Sequence, residues 1–439
     1  MKAFLKRILP KPVLTIFRSV YRLPSKIYES YLIKTQPYLH RKALRKLRKK
    51  KDGPVNVVFF AIFKSVWKYD RLYWLMEKDP RFHPVVLVCP RVNFGREEML
   101  KTLRECYADF KDRGYRVICS YDEQTDTYVD ARSLNPDIIF YTNPYKGLID
   151  DRYYITRFRD VLTCYVNYGF CITEYKWDFA LPFHKLLWKY FCESEKIREI
   201  IVKEVGENRR KYVFTGYPPH DDFLLGTSAG HDWKLPDSNL KRIIWAPHHT
   251  IEEDVDLSKT IRMSNFLRLA GFMQKMAQKY AQEVQFVFKP HPLLQSKLYN
   301  HPAWGMEKTD AYYEFWKSGN NTNYVSGDYT DLFNSSDAMI HDSASFMLEY
   351  LYTLRPVLYT TGENLTSQQQ RNAVAKEAYD CHYIAETEDD IDQFIASIVI
   401  GGKDHMLDMR KRFFQSTLTP PNNKTVAENI MDNIVLELF

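Results

Sequence analysis

In the stretch QFVFKPHPLL (285–294) an apolar, alternating run ends in Lys289-Pro290-His291-Pro292. The two prolines fix φ and stiffen the turn, so His291 is held with little entropy left to lose. Lys289 is a cation at a strand end. His291 can donate to a phosphate oxygen or give up a proton. A rigid turn with a surface histidine would use the same residues, so the turn needs a second half to carry chemistry.

That half is offered by SSDAMIHDSASFMLEYLYTLRPVLYTTG (335–362). Asp337 leads a buried strand, and Asp342-Ser343-Ala344-Ser345 turns into a helical stretch. Free N–H groups, hydroxyls and the positive end of a helix dipole together favour a diphosphate. Glu349, one turn further on, is placed to bind ribose hydroxyls. Alone, the same residues are an ordinary N-cap by Asp342 or Ser343. Beside a Lys-Pro-His-Pro turn they read as a donor site.

Two further strand ends carry polar groups. WAPHHT (245–250) puts His248 and His249 just past a strand. Adjacent residues of an extended chain point opposite ways, so one of the two is expected in the cleft. YVNYGFCITEYKWDFALPFHK (165–185) leaves a strand at Tyr168-Gly169 and is rich in aromatics, as in an acceptor pocket. Glu174, Asp178 and His184 are its acid–base candidates. GYPPHDDFLL (216–225) reads as a connector, with Asp221 or Asp222 capping a following segment.

These motifs need strands to end beside one another. From residue 55 onward short β-rich runs alternate with helix-length segments, the spacing of βαβ units around a parallel sheet. The first set is 55–63, 84–89, 115–119, 137–142, 164–169 and 212–216. The second is 242–247, 284–290, 323–327, 338–342 and 356–360. Helices are expected at 96–112, 260–282, 345–354 and 388–399. The polar stretch 226–241 reads as a linker. The expected organisation is a basic arm over 1–53, an acceptor domain over 54–225, a nucleotide-donor domain over 242–415 and a helical tail over 416–439. Two Rossmann-like domains then face one cleft, and ligands bind beyond the carboxyl ends of the strands.

Charge is unevenly spread. The chain of 439 residues has a formal charge of +7, but residues 1–51 hold 16 Lys/Arg and one Glu, about +15, which leaves about −8 for the rest. An evenly basic nucleic-acid surface is excluded. The arm has helical apolar periodicity interrupted by Pro10, Pro12 and Pro24, with Lys and Arg on its other face. No uncharged run approaches the length of a spanning helix. An amphipathic basic segment on an anionic membrane surface fits best. Seven scattered cysteines without metal spacing read as reduced thiols of a cytoplasmic protein.

In order, GYPPHDDFL, IIWAPHHT, VFKPHP and LFNSSDAMIHDSASFMLEYLYTLRPVLY resemble motifs of the CDP-glycerol glycerophosphotransferase family, which includes polymerases and primases of teichoic-acid-like polymers. The resemblance covers roughly residues 130–400 and is strongest from 212 to 362. It implies a GT-B fold, a cytosolic membrane-associated enzyme and a CDP-activated alcohol donor. It also implies attack by an acceptor hydroxyl on the donor's β-phosphorus, releasing CMP. By the same carry-over His291 contacts the diphosphate or acts as acid, Ser343 and Ser345 hold phosphates, and Glu349 occupies the acidic position after them. The chain departs from the family pattern at three places. Asn167-Tyr168-Gly169 stands where the family often has Trp-His-Gly, whose histidine is taken as the base. Ser343-Ala344 replaces Tyr-Ser, and Lys289 replaces an arginine.

The expected activity is therefore transfer of a glycerol-phosphate or related alditol-phosphate unit to a membrane-linked glycan or polymer precursor. The catalytic candidates are His291, Glu174 and His184. Lys289, His248, His249, Asp342, Ser343, Ser345 and Glu349 are assigned to the donor, and Tyr168 and Gly169 to the acceptor. No metal is expected, because phosphoryl transfer mainly needs positioning and neutralised charge and no Asp/Glu cluster demands one. A nucleotide-sugar glycosyltransferase and a non-catalytic membrane scaffold are the rival readings, since fold alone does not separate them.

Overall fold

Runs such as Val55–Ala61 and Phe82–Val88 are apolar at almost every position, and almost every side chain in them is buried. Strands covered on both faces read this way, whereas half-exposed strands alternate. In the computed structural model, which describes residues 11–50, 52–173, 179–206, 209–225, 232–252, 262–327, 329–362 and 371–439, they build two parallel sheets.

The first half contains β1 (Val55–Ala61), β2 (Phe82–Val88), β3 (Val117–Cys119), a small hairpin of β4 (Tyr121–Asp122) and β5 (Thr127–Tyr128), then β6 (Ile138–Tyr141), β7 (Leu162–Val166), β8 (Lys189–Cys192) and β9 (Tyr212–Phe214). Seven of these form one sheet in the order β3-β2-β1-β6-β7-β8-β9. The second half contains β10 (Lys241–Ala246), β11 (Val284–Phe288), β12 (Thr322–Tyr324), β13 (Ala338–His341), β14 (Val357–Thr360) and β15 (Tyr383–Ala385), in the order β12-β11-β10-β13-β14-β15. Both orders run outward from a central strand and reverse there, which opens a crevice at the strands' carboxyl ends. The expected helix 96–112 is present as Arg96–Asp112. Two strands of these sheets, β8 and β15, were not foreseen, nor was the β4–β5 hairpin.

The expected division of the chain changes at both ends. The helix Val426–Leu438 buries Val426, Ala427, Ile430, Ile434 and Leu438 in the core of the first sheet. Asp221 of the first half caps it, accepting from the N–H groups of Val426 (2.8 Å) and Ala427 (3.0 Å). Such a cap is worth about 1 kcal/mol. The tail is thus part of the first domain. Gly216 permits the close approach: its φ is +97°, and a Cβ there would meet Val426 at 2.8 Å.

At the other end Lys11–Arg48 is one helix that continues through Pro12, Pro24 and Pro37. Each interior proline removes a single N–H bond, and the neighbouring turns carry the helix past it. Leu32, Gln36, His40 and Leu47 are buried against the body. Gln36 donates to the carbonyl of Arg159 (2.9 Å), and Arg159 donates to that of Leu32 (2.9 Å). The arm is therefore docked along its second half. Ile27, Tyr28, Tyr31 and Tyr38 stay exposed on it. Among the described residues no helix is long and apolar enough to cross a membrane.

Of the linker 226–241, residues 226–231 lie outside the described residues. The rest packs on the second sheet, where the Trp233 indole donates to Ser335 Oγ (2.8 Å).

Candidate functional site

β10 ends at Ala246, and the chain bends at His249. That bend defeats the strict alternation expected of an extended pair and turns both His248 and His249 toward His291. The ring centroids lie 4.4 Å (His248–His249), 5.3 Å (His248–His291) and 4.1 Å (His249–His291) apart. His291 is placed by its backbone N–H, which donates to the carbonyl of Pro247 (3.0 Å). All three rings are held neutral. Burial is the main cause; the neighbouring rings add to it for His248 and His291, and Lys297 adds to it for His249. His249 falls to about 4 and His291 to about 3, and His248 is well below its ordinary value.

The bonding of the ring nitrogens assigns the proton of His291. His291 Nδ1 accepts from the N–H of Leu293 (3.1 Å), so Nε2 carries the hydrogen. Thr250 Oγ1 accepts from the N–H of Met263 (2.9 Å) and lies 2.9 Å from His248 Nδ1, a contact in which either atom can donate. His249 Nδ1 is buried without a partner. The three histidines lie close enough together to hold a metal ion. Metal ligation needs a lone pair, however, and the nitrogen that His291 keeps as a lone pair is already taken by Leu293. His291 Nε2–H is therefore a donor, which suits an anionic oxygen.

Lys289 is almost fully buried, with Nζ donating to the carbonyl of Gly327 (3.0 Å) and lying 5.8 Å from the Tyr329 ring centroid. Asp342 is also buried, and its two oxygens accept from the N–H of His248 (2.6 Å) and of Asn265 (2.5 Å). Burial pushes its carboxyl up to about 7, against the pull of those two donors. Both oxygens are occupied, so Asp342 is not a phosphate ligand. It joins the turn after β13 to the loop after β10 and thereby sets His248 beside Ser343. Ser343 N–H donates to His341 Nδ1 (3.1 Å). Ser345 opens the short helix Phe346–Glu349 and is partly exposed.

The two domains meet over this loop. A Cβ on Gly169 would lie 3.7 Å from Ser345 Cβ, so the Tyr168-Gly169 strand end stands against the serine turn. The Tyr168 hydroxyl lies 3.3 Å from that of Tyr145. Glu349 is buried and accepts from the Tyr217 hydroxyl (3.1 Å) and from the Tyr329 hydroxyl. Glu349, expected to bind ribose, here accepts from two tyrosines, one of them from the first domain. Lys68, after β1, donates to the Tyr329 hydroxyl (3.2 Å).

His184 is not in the cleft. It is fully buried among Tyr165, Phe183 and Tyr190, its Nδ1 accepts from the N–H of Leu181 (3.2 Å), and burial lowers it to about 3. An apolar core gives it no route to a reacting proton, so its place is structural. Glu174 and Asp178 lie outside the described residues. Sequence reasoning missed Lys68, Tyr217, Tyr329 and Glu193. Glu193 is a fully buried carboxylate just past β8, 3.4 Å from the N–H of Cys171. The apolar run Tyr190–Cys192 before it was the available signal, obscured by the buried Lys189 that starts the strand and pairs with Glu437 (2.6 Å).

A family model described as CDP-Glycerol:Poly(glycerophosphate) glycerophosphotransferase matches residues 178–436, more than half of the chain. No curated protein sequence matches. Among solved structures, the wall teichoic acid polymerase TagF superposes with a TM-score of 0.53 at 14% identity, covering 97% of this chain and 99% of that one. A putative UDP-N-acetylglucosamine 2-epimerase from Listeria monocytogenes gives 0.55 at 13%, covering 87% and 96%. The S. aureus MnaA–UDP co-structure gives 0.53 at 13%, covering 88% and 98%. At these identities the likeness is one of fold: two Rossmann-like domains about a cleft.

Proposed function

The chain belongs to the CDP-glycerol:poly(glycerophosphate) glycerophosphotransferase family, and we propose that it transfers glycerol phosphate, or a related alditol phosphate, from a CDP-activated donor to an acceptor hydroxyl in the synthesis of a teichoic-acid-type polymer. One observation carries this reading. Three neutral histidines converge beside a buried lysine, His291 with its Nε2–H as a donor, and Asp342 ties them to the serine turn 343–345. Imidazole N–H groups donate to diphosphate oxygens, and Lys289 supplies a buried ammonium donor beside them. A TagF variant has been solved after a CDPG soak, which supports the donor class.

In this reading the acceptor hydroxyl oxygen forms a bond to the donor's β-phosphorus as the bond to the CMP oxygen breaks, and the hydroxyl proton leaves with the CMP phosphate or to solvent. His291 and His248 take the charge that builds on the phosphate oxygens, and Lys289 sets the local potential. The acceptor enters along Tyr168-Gly169, which faces Ser345. With the His291 Nδ1 lone pair held by the N–H of Leu293, the transfer proceeds on residues of the chain. The acceptor is membrane-linked, because the arm's outer face combines lysines and arginines with exposed Ile27, Tyr28, Tyr31 and Tyr38. Such a face seats at the cytoplasmic surface of an anionic membrane.

A rival reading, a nucleotide-sugar glycosyltransferase, is favoured by Tyr168, which stands where a histidine base is expected. Incubation with CDP-glycerol, CDP-ribitol and UDP- or CMP-sugars, scoring the nucleotide released, separates the two. CMP from a CDP-alcohol is the expected product. Release of nucleotide from a sugar donor alone overturns the proposal.

A further inference from the structure

Lys68 lies outside the residues matched by the family model, which begins at 178, and the donor reading leaves it without a role. It follows β1 and is half-buried. Its neighbours fix its backbone. Trp67 and Tyr69 are buried in the core. The Tyr69 hydroxyl donates to the carbonyl of Tyr141 (2.7 Å) and accepts from the N–H of Val166 (3.0 Å), at the ends of β6 and β7. Lys68 is thus tied to the strand end that leads into Tyr168-Gly169.

The side chain reaches across to the second domain. Nζ donates to the Tyr329 hydroxyl (3.2 Å), and it lies 5.2 Å from the Tyr329 ring centroid and 6.0 Å from that of Tyr217. Lys289 Nζ lies 5.8 Å from the same Tyr329 centroid. One ring therefore has an ammonium from each domain beside it. A ring face attracts a cation without cancelling its charge, and the two cations repel each other until an anion joins them.

The carboxylates nearby are taken by other groups. Asp70 accepts from Arg113 and from the Tyr115 hydroxyl, and Asp222 accepts from Arg71 (2.9 Å). Asp221 caps the helix Val426–Leu438, and Glu349 holds two tyrosine hydroxyls. Among the described residues Lys68 has no carboxylate partner, and the Tyr329 hydroxyl is its one hydrogen-bond acceptor. An ammonium carries three donors, so two N–H groups remain for a ligand.

We propose that Lys68 is a catalytic residue that binds the donor's β-phosphoryl group, the one transferred. The proposal rests on the transferase reading. The acceptor hydroxyl attacks the β-phosphorus, so that atom must lie where the acceptor wall meets the donor wall. Lys68 is the cation that the acceptor wall brings there. Tyr217 links the two places, with its hydroxyl 3.4 Å from the carbonyl of Tyr168 and its ring beside Lys68. As the bond from the acceptor oxygen forms and the bond to CMP breaks, charge spreads over the β-phosphoryl oxygens. A positioned ammonium at those oxygens lowers the barrier. Lys68 keeps its three hydrogens throughout, and the hydroxyl proton leaves with the CMP phosphate or to solvent.

Calorimetric titration of the full chain with CDP, CMP and UDP, in the wild type, Lys68→Met and Lys68→Arg, tests it. The wild type is expected to bind CDP at least about tenfold more tightly than CMP. Lys68→Met is expected to lose at least about tenfold in CDP affinity, with CMP affinity unchanged within about twofold. Lys68→Arg keeps the charge and is expected to retain most of the CDP affinity. Without nucleotide, Lys68→Met is expected to melt near the wild-type temperature, because methionine keeps an apolar stem against the two rings. Wild-type CDP affinity in Lys68→Met overturns the proposal while leaving the donor reading intact. So does an equal loss for CDP and CMP, which makes the lysine a clasp between the domains. A wild type that binds UDP in place of CDP, with UDP affinity lost in Lys68→Met, sinks the CDP-donor reading and leaves Lys68 on a β-phosphate. A wild type that binds neither diphosphate overturns both.

Discussion

Tyr217 of the first domain donates its hydroxyl to Glu349 of the second across 3.1 Å, and both side chains are buried. The bond spans the cleft, and the Tyr329 hydroxyl occupies the other carboxylate oxygen. Glu349 therefore acts as a clasp between the domains. Its two acceptors are matched by two donors, which is what a buried carboxylate requires.

Removing one of those donors leaves the carboxylate half satisfied. Tyr217→Phe is expected to lower stability by about 1–3 kcal/mol and to widen the domain separation seen by small-angle scattering. An unchanged denaturation midpoint together with an unchanged radius of gyration would refute the clasp.

His291 is partly exposed and its ring packs against two other polar rings, so its loss affects the fold little. His291→Ala is expected to weaken CDP binding at least tenfold, about 1.4 kcal/mol, with the melting temperature nearly unchanged. Wild-type CDP affinity in this variant would remove His291 from the donor site.

The neutral histidines make the protein acid-sensitive. In the folded chain His249 takes up a proton only near pH 4, and His184, His291 and His382 only near pH 3. The unfolded chain protonates them near 6.5. Below that value the unfolded state binds more protons, so stability falls as pH falls. Asp342 works in the opposite sense. Its folded carboxyl takes up a proton near pH 7, well above the ordinary value of 3.8, so between those values it favours the folded state as pH falls. The histidines outnumber it. Urea midpoints are expected to drop steadily from pH 7 to pH 5, and a flat profile would contradict the assignment.

The arm makes a separate case. Deleting it would expose the core residues it covers, so charge reversal is the cleaner test. Lys34, Arg41, Lys42 and Arg45 are exposed, and each cation near an anionic surface is worth roughly 1 kcal/mol. Reversing all four to Glu is expected to abolish co-sedimentation with phosphatidylglycerol vesicles, while CDP binding persists. Retained sedimentation would place the membrane contact elsewhere.

Much of the fold was legible in local pattern. The helix 96–112 and most strands of both sheets follow from apolar runs and their spacing. The strands end where the chemistry needs them to end, with Asp342, His248 and Lys289 just beyond β13, β10 and β11. β8 was hidden because Lys189 opens it, and a buried lysine is legible only with Glu437, at the far end of the chain, in view. His184 had the right residue type in the right segment, but burial depends on what packs over that segment, which is not written near it.

By itself the sequence determined two wound α/β halves, a basic arm, and a Lys-Pro-His-Pro turn with a serine turn as the parts of a phosphate site. Those properties are local: periodicity, proline stiffness and charge are set within a few residues. Only the tertiary structure decided which groups share a partner. Asp342 turned out to be a brace, Glu349 a clasp, His248 and His249 members of one cluster with His291, and Lys68 a cation that reaches from one domain to a tyrosine of the other. Each of these depends on residues tens to hundreds of positions away. Burial then decides whether a polar atom must find a partner, and no local pattern carries that information.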